Sequence, residues 1–143
     1  MQQIIIIIAL LFSSIVMAQT QEEATKLEGS TITVSVTNTL TDEGTISFAL
    51  FNEKGFREKA LQAKSSHIEN GVGSVQFKSV QEGEYAIICF HDANSNNKMD
   101  FHENGMPKES YGISNNVYLM GPPQFENSKF MVLNKDLKLE IKF

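Results

Sequence analysis

The chain has 143 residues, a formal net charge of −5 and a single cysteine, Cys89. Mild acidity without a basic stripe argues against nucleic-acid binding. One cysteine excludes an internal disulfide, so a core must be held by packing alone.

Residues 1–18 read as a signal peptide. "IIIIIALLFSSIVMA" is apolar and ends in small residues, and Val16-Met17-Ala18 fits a cleavage site that leaves Gln19 at the new terminus. The leader departs from the usual pattern in having no Lys or Arg before the apolar run. A retained membrane anchor is the alternative. The run from Ile4 to Ala18 falls short of the roughly 20 apolar residues that span a bilayer, and two serines interrupt it. The reading is therefore an exported protein, periplasmic or extracellular, with no stable membrane insertion after cleavage. Residue 19 is not cysteine, which argues against a lipid anchor. Residues 19–29 are polar and aperiodic, a flexible lead-in. Residues 30–143 have the size of one domain.

From there the dominant signal is period-two alternation. "STITVSVTN" puts Ile32, Val34 and Val36 on one face and Thr31, Thr33 and Ser35 on the other. "GTISFALFN" groups Ile46, Phe48 and Leu50, and "SVQFKSV" offers Val75 and Phe77. "EYAIICFHD" is apolar on both faces in its middle and predicts a central strand, in which Cys89 is a buried small hydrophobe. "KFMVLN" is a shorter strand. "DLKLEIKF" sets Leu137, Leu139, Ile141 and Phe143 against Lys138, Glu140 and Lys142, which face water. Such alternation predicts half-buried antiparallel strands. "EKGFREKALQA" is the one stretch with approximate helical spacing, through Phe56, Ala60 and Leu61. Gly in "TDEGT" and "QEGEY" suits turns that need positive φ, and Asn70-Gly71 predicts a hairpin. Pro122-Pro123 marks an edge or a crossing between sheets. The fold class is all-β, an antiparallel sandwich of about seven strands, prealbumin-like or Ig-like.

The stretch that carries chemistry is "HDANSNNKMDFHENG", directly after the central strand. Ca²⁺ takes oxygen ligands from alternate positions of a twelve-residue loop. With Asp92 first, Asn94 falls third, Asn96 fifth, Lys98 seventh (by its backbone carbonyl), Asp100 ninth and Glu103 twelfth. Met99 falls eighth, a position that usually packs inward. The template fails only at its sixth position, where Asn97 replaces glycine, and Asn is next best at adopting the left-handed conformation required there. Three anions and an imperfect turn predict weak binding, with a dissociation constant on the order of 10⁻⁴ to 10⁻³ M. Gly105 and Pro107 stop any helix from following, so this would be a structural loop between strands. The competing reading is a metal-free loop that uses its Asn and Asp side chains for its own hydrogen bonds.

His91 and His102, with Asp92 or Glu103, carry zinc-type donors, but an extended strand points His91 away from Asp92. His67 reads as a surface residue. The sequence holds no G-x-S-x-G, no H-E-x-x-H and no phosphate-binding glycine loop. Asp100 and Glu103 could pose as a glycosidase carboxylate pair, for which ligation or solvation is the simpler role. The chain reads as non-catalytic.

The stretch from His91-Asp92 through Gly105, Pro107, Glu109, Tyr111, Gly112, Ser114 and Asn115 to Gly121-Pro122-Pro123 and Phe125 resembles the domain-of-unknown-function 2141 family of exported bacterial proteins. The resemblance covers residues 30–143. Loops of that family often read N-G-N-G, and Asn97 stands here in a glycine place. The family is uncharacterised, so the resemblance implies a fold similar to the transthyretin and carboxypeptidase-regulatory sandwiches, and no activity. If the two halves of the motif pack together, Glu109 or a carbonyl could complete an ion's shell. Alternatively, Tyr111, Asn115 and Asn116 could form a polar face for an extracellular glycan or peptide, or the group could brace the loop by hydrogen bonds.

Overall fold

A computed structural model describes residues 29–118 and 120–143. The leader expected over 1–18 and all but Gly29 of the lead-in lie outside the described residues. The elements run β1 (Ser30–Val36), β2 (Thr45–Phe51), β3 (Gln62–His67), β4 (Gly73–Val80), β5 (Gly83–Asp92), β6 (Tyr111–Ile113), a short helix α1 (Phe125–Ser128), β7 (Lys129–Val132) and β8 (Leu137–Ile141). They form a three-stranded sheet ordered β4-β1-β8 and a five-stranded sheet ordered β3-β2-β5-β6, with β7 also on β5.

Alternation places the core as expected. Ile32, Val34 and Val36 of β1 are fully buried beside Val75 and Phe77 of β4 and Ile141 of β8. The other sheet meets them with Ile46, Phe48, Leu50, Ile87, Cys89 and Val132. Burying each large aliphatic or aromatic side chain contributes about 1.5–3 kcal/mol before entropy is counted. The chain is an all-β sandwich. Lys138, Glu140 and Lys142 face solvent as the pattern demands.

β5 is central because it is long. Of its ten residues, Ala86–Asp92 pair with β2 on one side. Its other side is shared, with Ile88–Phe90 taken by β6 and Gly83–Ala86 by β7. Turn chemistry also holds. Asn70 and Gly71 are both left-handed (φ 53° and 78°) between the bridged pair Glu69 and Val72, a two-residue hairpin. The Asp42 carboxylate accepts both of their N–H groups, at 3.0 and 2.7 Å.

The fold departs from the expectation in three places. β8 is parallel to β1, with Ile32 opposite Leu137 and Val36 opposite Ile141, whereas alternation suggested antiparallel pairing throughout. The alternating pattern fixes a strand's faces and carries no information on its direction. The helical turn expected through Phe56, Ala60 and Leu61 is instead a single 3-10 turn at Glu53–Gly55, held by Asn52 accepting the Gly55 N–H at 3.0 Å. Leu61 is half exposed there, while Phe56 stacks edge-on between Phe51 and Phe125, centroids 5.8 and 5.6 Å away. Finally, β3 and β6 raise the count to eight strands.

Candidate metal-binding loop

Asp92 is the last residue of β5 and lies on the sheet face shared by Ile88 and Phe90. The chain folds back over that face, so the carboxylate is fully buried. Its Oδ1 accepts the Asn96 N–H at 3.0 Å and its Oδ2 the Asn97 N–H at 2.7 Å. A chain of Asx turns continues the pattern. Asn94 Oδ1 accepts from Asn96 N at 3.1 Å, and Asn96 Oδ1 accepts from Lys98 N at 2.8 Å. The other ends of both amides converge, so that Asn94 Nδ2 and Asn96 Nδ2 donate to the same Asp100 Oδ2, at 2.7 and 3.0 Å.

Backbone conformation makes this closure feasible. Ser95 and Asn97 are left-handed, with φ of 57° and 61°. Asn97 therefore takes the conformation for which the template prefers glycine, using the Asn tolerance for that region. At the root of the loop Gly44 has φ 73°, and a Cβ there would collide with the Asp92 carbonyl, which explains glycine in "TDEGT".

The six template residues are not equivalent. Asp92, Asn94, Asn96 and Asp100 are brought into one hydrogen-bonded ring. Lys98 enters it through its backbone N–H, with its side chain exposed. Glu103 sits in the exposed turn that follows, where Gly105 N donates to His102 O, and it makes no hydrogen bond or ion pair among the described residues. The acidic side chain that joins the ring is Glu109. An isolated bridge between Phe101 and Pro107 returns the chain, and Glu109 Oε2 accepts the Asp100 N–H at 3.1 Å. Among the described residues, no three His, Cys, Asp or Glu side chains gather as a metal donor set. The donors that do gather are carboxylate and amide oxygens, suited to a hard cation. A cation there would replace the two Asn–Asp100 amide contacts with oxygen coordination.

The histidines stand apart. His91 Nε2 lies 2.7 Å from Glu43 O, on the side of β5 away from Asp92. His102 is held through its backbone, its N–H donating to Met106 O at 2.8 Å. The second half of the motif braces the sandwich. Ser114 Oγ accepts the Ile87 N–H at 3.0 Å and donates to Ser128 O. Asn115 Nδ2 donates to Asn127 O and Lys129 O, at 3.2 and 2.8 Å. Asn116 Nδ2 donates to Glu140 O and its Oδ1 accepts from Lys142 N, both at 2.8 Å. These bonds tie β6 to α1, β7 and β8. Beside Asn127, Lys129 reaches Glu126 at 3.0 Å and Glu84 at 3.2 Å, and these carboxylates raise its pKa above the ordinary lysine range. Cys89 is buried and its thiol is pushed far up by desolvation, against a weak Gly112 carbonyl contact, which disfavours the thiolate form.

A two-sheet sandwich with an Asx-rich loop at the end of its central strand defines a small β-sandwich module. The chain belongs to the DUF2141 family, described as "Uncharacterized protein conserved in bacteria", whose model matches residues 34–140. No curated protein matches it. Two solved chains of a pilus-presented adhesin, Spy0125 (Cpa), one of them a cysteine-to-alanine mutant, are each 12% identical to it with a TM-score of 0.27. The match covers 80% of this chain, which spans only 26% of theirs.

Proposed function

We propose that this protein is an exported, non-catalytic β-sandwich module whose 92–103 loop is a weak structural calcium site. Asp92, Asn94, Asn96, the Lys98 carbonyl, Asp100 and Glu103 would supply the ligands, and Glu109 stands close enough to Asp100 to contribute. The observation that supports this is the convergence of both Asn94 and Asn96 on one Asp100 oxygen above a buried Asp92. Alternate side chains that point inward in this way are what an oxygen-rich cation shell needs. Export rests on the leader read from the sequence of residues 1–18 and on the cleavage expected after Ala18.

A second reading has its own observation. Both amides already use both ends, so the loop is closed without a cation. On this reading it is a metal-free element of a glycan- or peptide-binding accessory module.

Calcium titration decides between them. With a dissociation constant of about 10⁻⁴ to 10⁻³ M, about 10 mM calcium should stabilise the fold by about 1.4–2.7 kcal/mol relative to chelator. Asp100→Asn should abolish that gain. No heat of binding and no shift in melting temperature would leave the metal-free reading.

A further inference from the structure

The outer face of the five-stranded sheet carries an open groove of about 1240 Å³, lined by residues of β2, β3, β5 and β6, by the loops after β2, β5 and β6, and by Phe143. Register sets its floor. Ala63 pairs with Ala49 and Ala49 with Ile88. One step along the strands, Ser65 pairs with Ser47 and Ser47 with Phe90. Small side chains on β3 and β2 leave depth, while Ile88 and Phe90 supply apolar surface. Phe101, Met106, Tyr118 and Met120 line the same groove and are 55%, 61%, 87% and 93% exposed. Apolar side chains clustered in the open around one concavity mark a binding site, and methionine walls adapt to a flexible ligand.

The polar groups restrict what fits. The backbone donors and acceptors of the floor strands β2 and β5 are used between strands, so a peptide lying across them would find no backbone partner there. The floor hydroxyls of Ser47 and Ser65 face each other at 3.3 Å, so one of their two donors is already used within the floor. Among the charged lining residues, Glu109 is engaged by the Asp100 N–H, and Lys64 pairs with the core residue Phe48, which puts its side chain on the opposite face. Arg57 remains. It lines the groove with a left-handed backbone (φ 65°) and makes no hydrogen bond or ion pair among the described residues. An unpaired guanidinium at an apolar groove complements one carboxylate on a hydrocarbon body. From β3 to β6 the floor is about 14 Å wide, the reach of a medium-length acyl chain.

We propose that this groove binds an aliphatic monocarboxylate of the fatty-acid type, with its chain across β2 and β5 and its carboxylate on Arg57. The site does not require a metal. Calorimetry on the folded protein in chelator with dodecanoate, below its micelle concentration, tests it. Dodecanoate should bind saturably without a metal, and its methyl ester about fivefold more weakly, the scale of one partly exposed ion pair. Arg57→Gln, at an exposed position, should bring acid and ester to equal affinity without lowering the melting temperature. Ala63→Trp, on the exposed edge strand, should block both ligands. Absence of saturable dodecanoate binding, equal binding of acid and ester to the unaltered protein, or undiminished binding to Ala63→Trp would overturn the proposal. None of these outcomes bears on the calcium titration.

Discussion

Replacing Asp92 by alanine should cost more stability than truncating any other side chain of the loop. The carboxylate is fully buried and accepts two backbone N–H groups, from Asn96 and Asn97. A hydrogen bond to a charged acceptor contributes about 1.5–3 kcal/mol, and a donor left unpaired adds a desolvation cost. The two donors differ in what remains to them. Asn96 N keeps a second acceptor, Asn94 Oδ1 at 3.1 Å, so its loss counts for little. Asn97 N has the shorter bond, 2.7 Å, and no second acceptor among the described residues, so it carries most of the effect. The net loss should be about 2–3.5 kcal/mol, or about 8–15 °C in melting temperature for a domain of this size. Asp92→Asn should cost about as much, because its amide nitrogen would face one of the two N–H donors. Urea unfolding followed by circular dichroism, in chelator, measures both. An unchanged slope with a lowered midpoint is expected, since the sandwich core is untouched. A loss below about 0.5 kcal/mol for Asp92→Ala would refute the view that this carboxylate organises the loop.

Asn97→Gly should stabilise by about 0.5 kcal/mol and Asn97→Val destabilise by about 1–2 kcal/mol, because the position is left-handed; the same urea assay ranks them. Gly112→Ala should cost about 1–3 kcal/mol, since the new Cβ would stand 2.6 Å from Lys142 O and 2.5 Å from Ile141 Cγ2, and the backbone oxygen cannot yield as a side-chain tip can. Cys89 makes stability depend on alkaline pH. Its folded pKa is raised by burial, so the full stability is present below the unfolded thiol's value of about 8.5 and is lost as pH rises above it. The slope should approach about 1.4 kcal/mol per pH unit between pH 9 and 10, and Cys89→Ala should remove that slope. The native thiol should also resist thiol reagents until the protein unfolds.

Much of the loop was legible because its bonds are local. Asp92, Asn94 and Asn96 each cap a backbone N–H no more than five residues ahead, so spacing alone predicts the turns and the left-handed Asn97. Glu109 is different. Its contact with Asp100 depends on the Phe101–Pro107 bridge, and sequence offered it only as one of several donors. β3 carries no periodic signal, because "QAKSSH" has no apolar stripe. It is an edge strand whose small outward residues floor a groove. β6 has three residues, too few for a periodic signal, and exists because β5 has a free edge beside it.

Alternation along the chain states which faces of β1, β2, β4, β5 and β8 are buried, and local residue chemistry states where the chain turns and that Asp and Asn oxygens cluster after the central strand. These follow from side-chain period and local backbone preference, which act within a few residues. Long-range packing makes β8 parallel to β1, sets β6 and β7 on one edge of β5, and folds the chain after β5 back to bury Asp92 and to wall a groove over Phe90. Those outcomes depend on strand edges distant in sequence, and an alternating pattern states a strand's face without naming its neighbour.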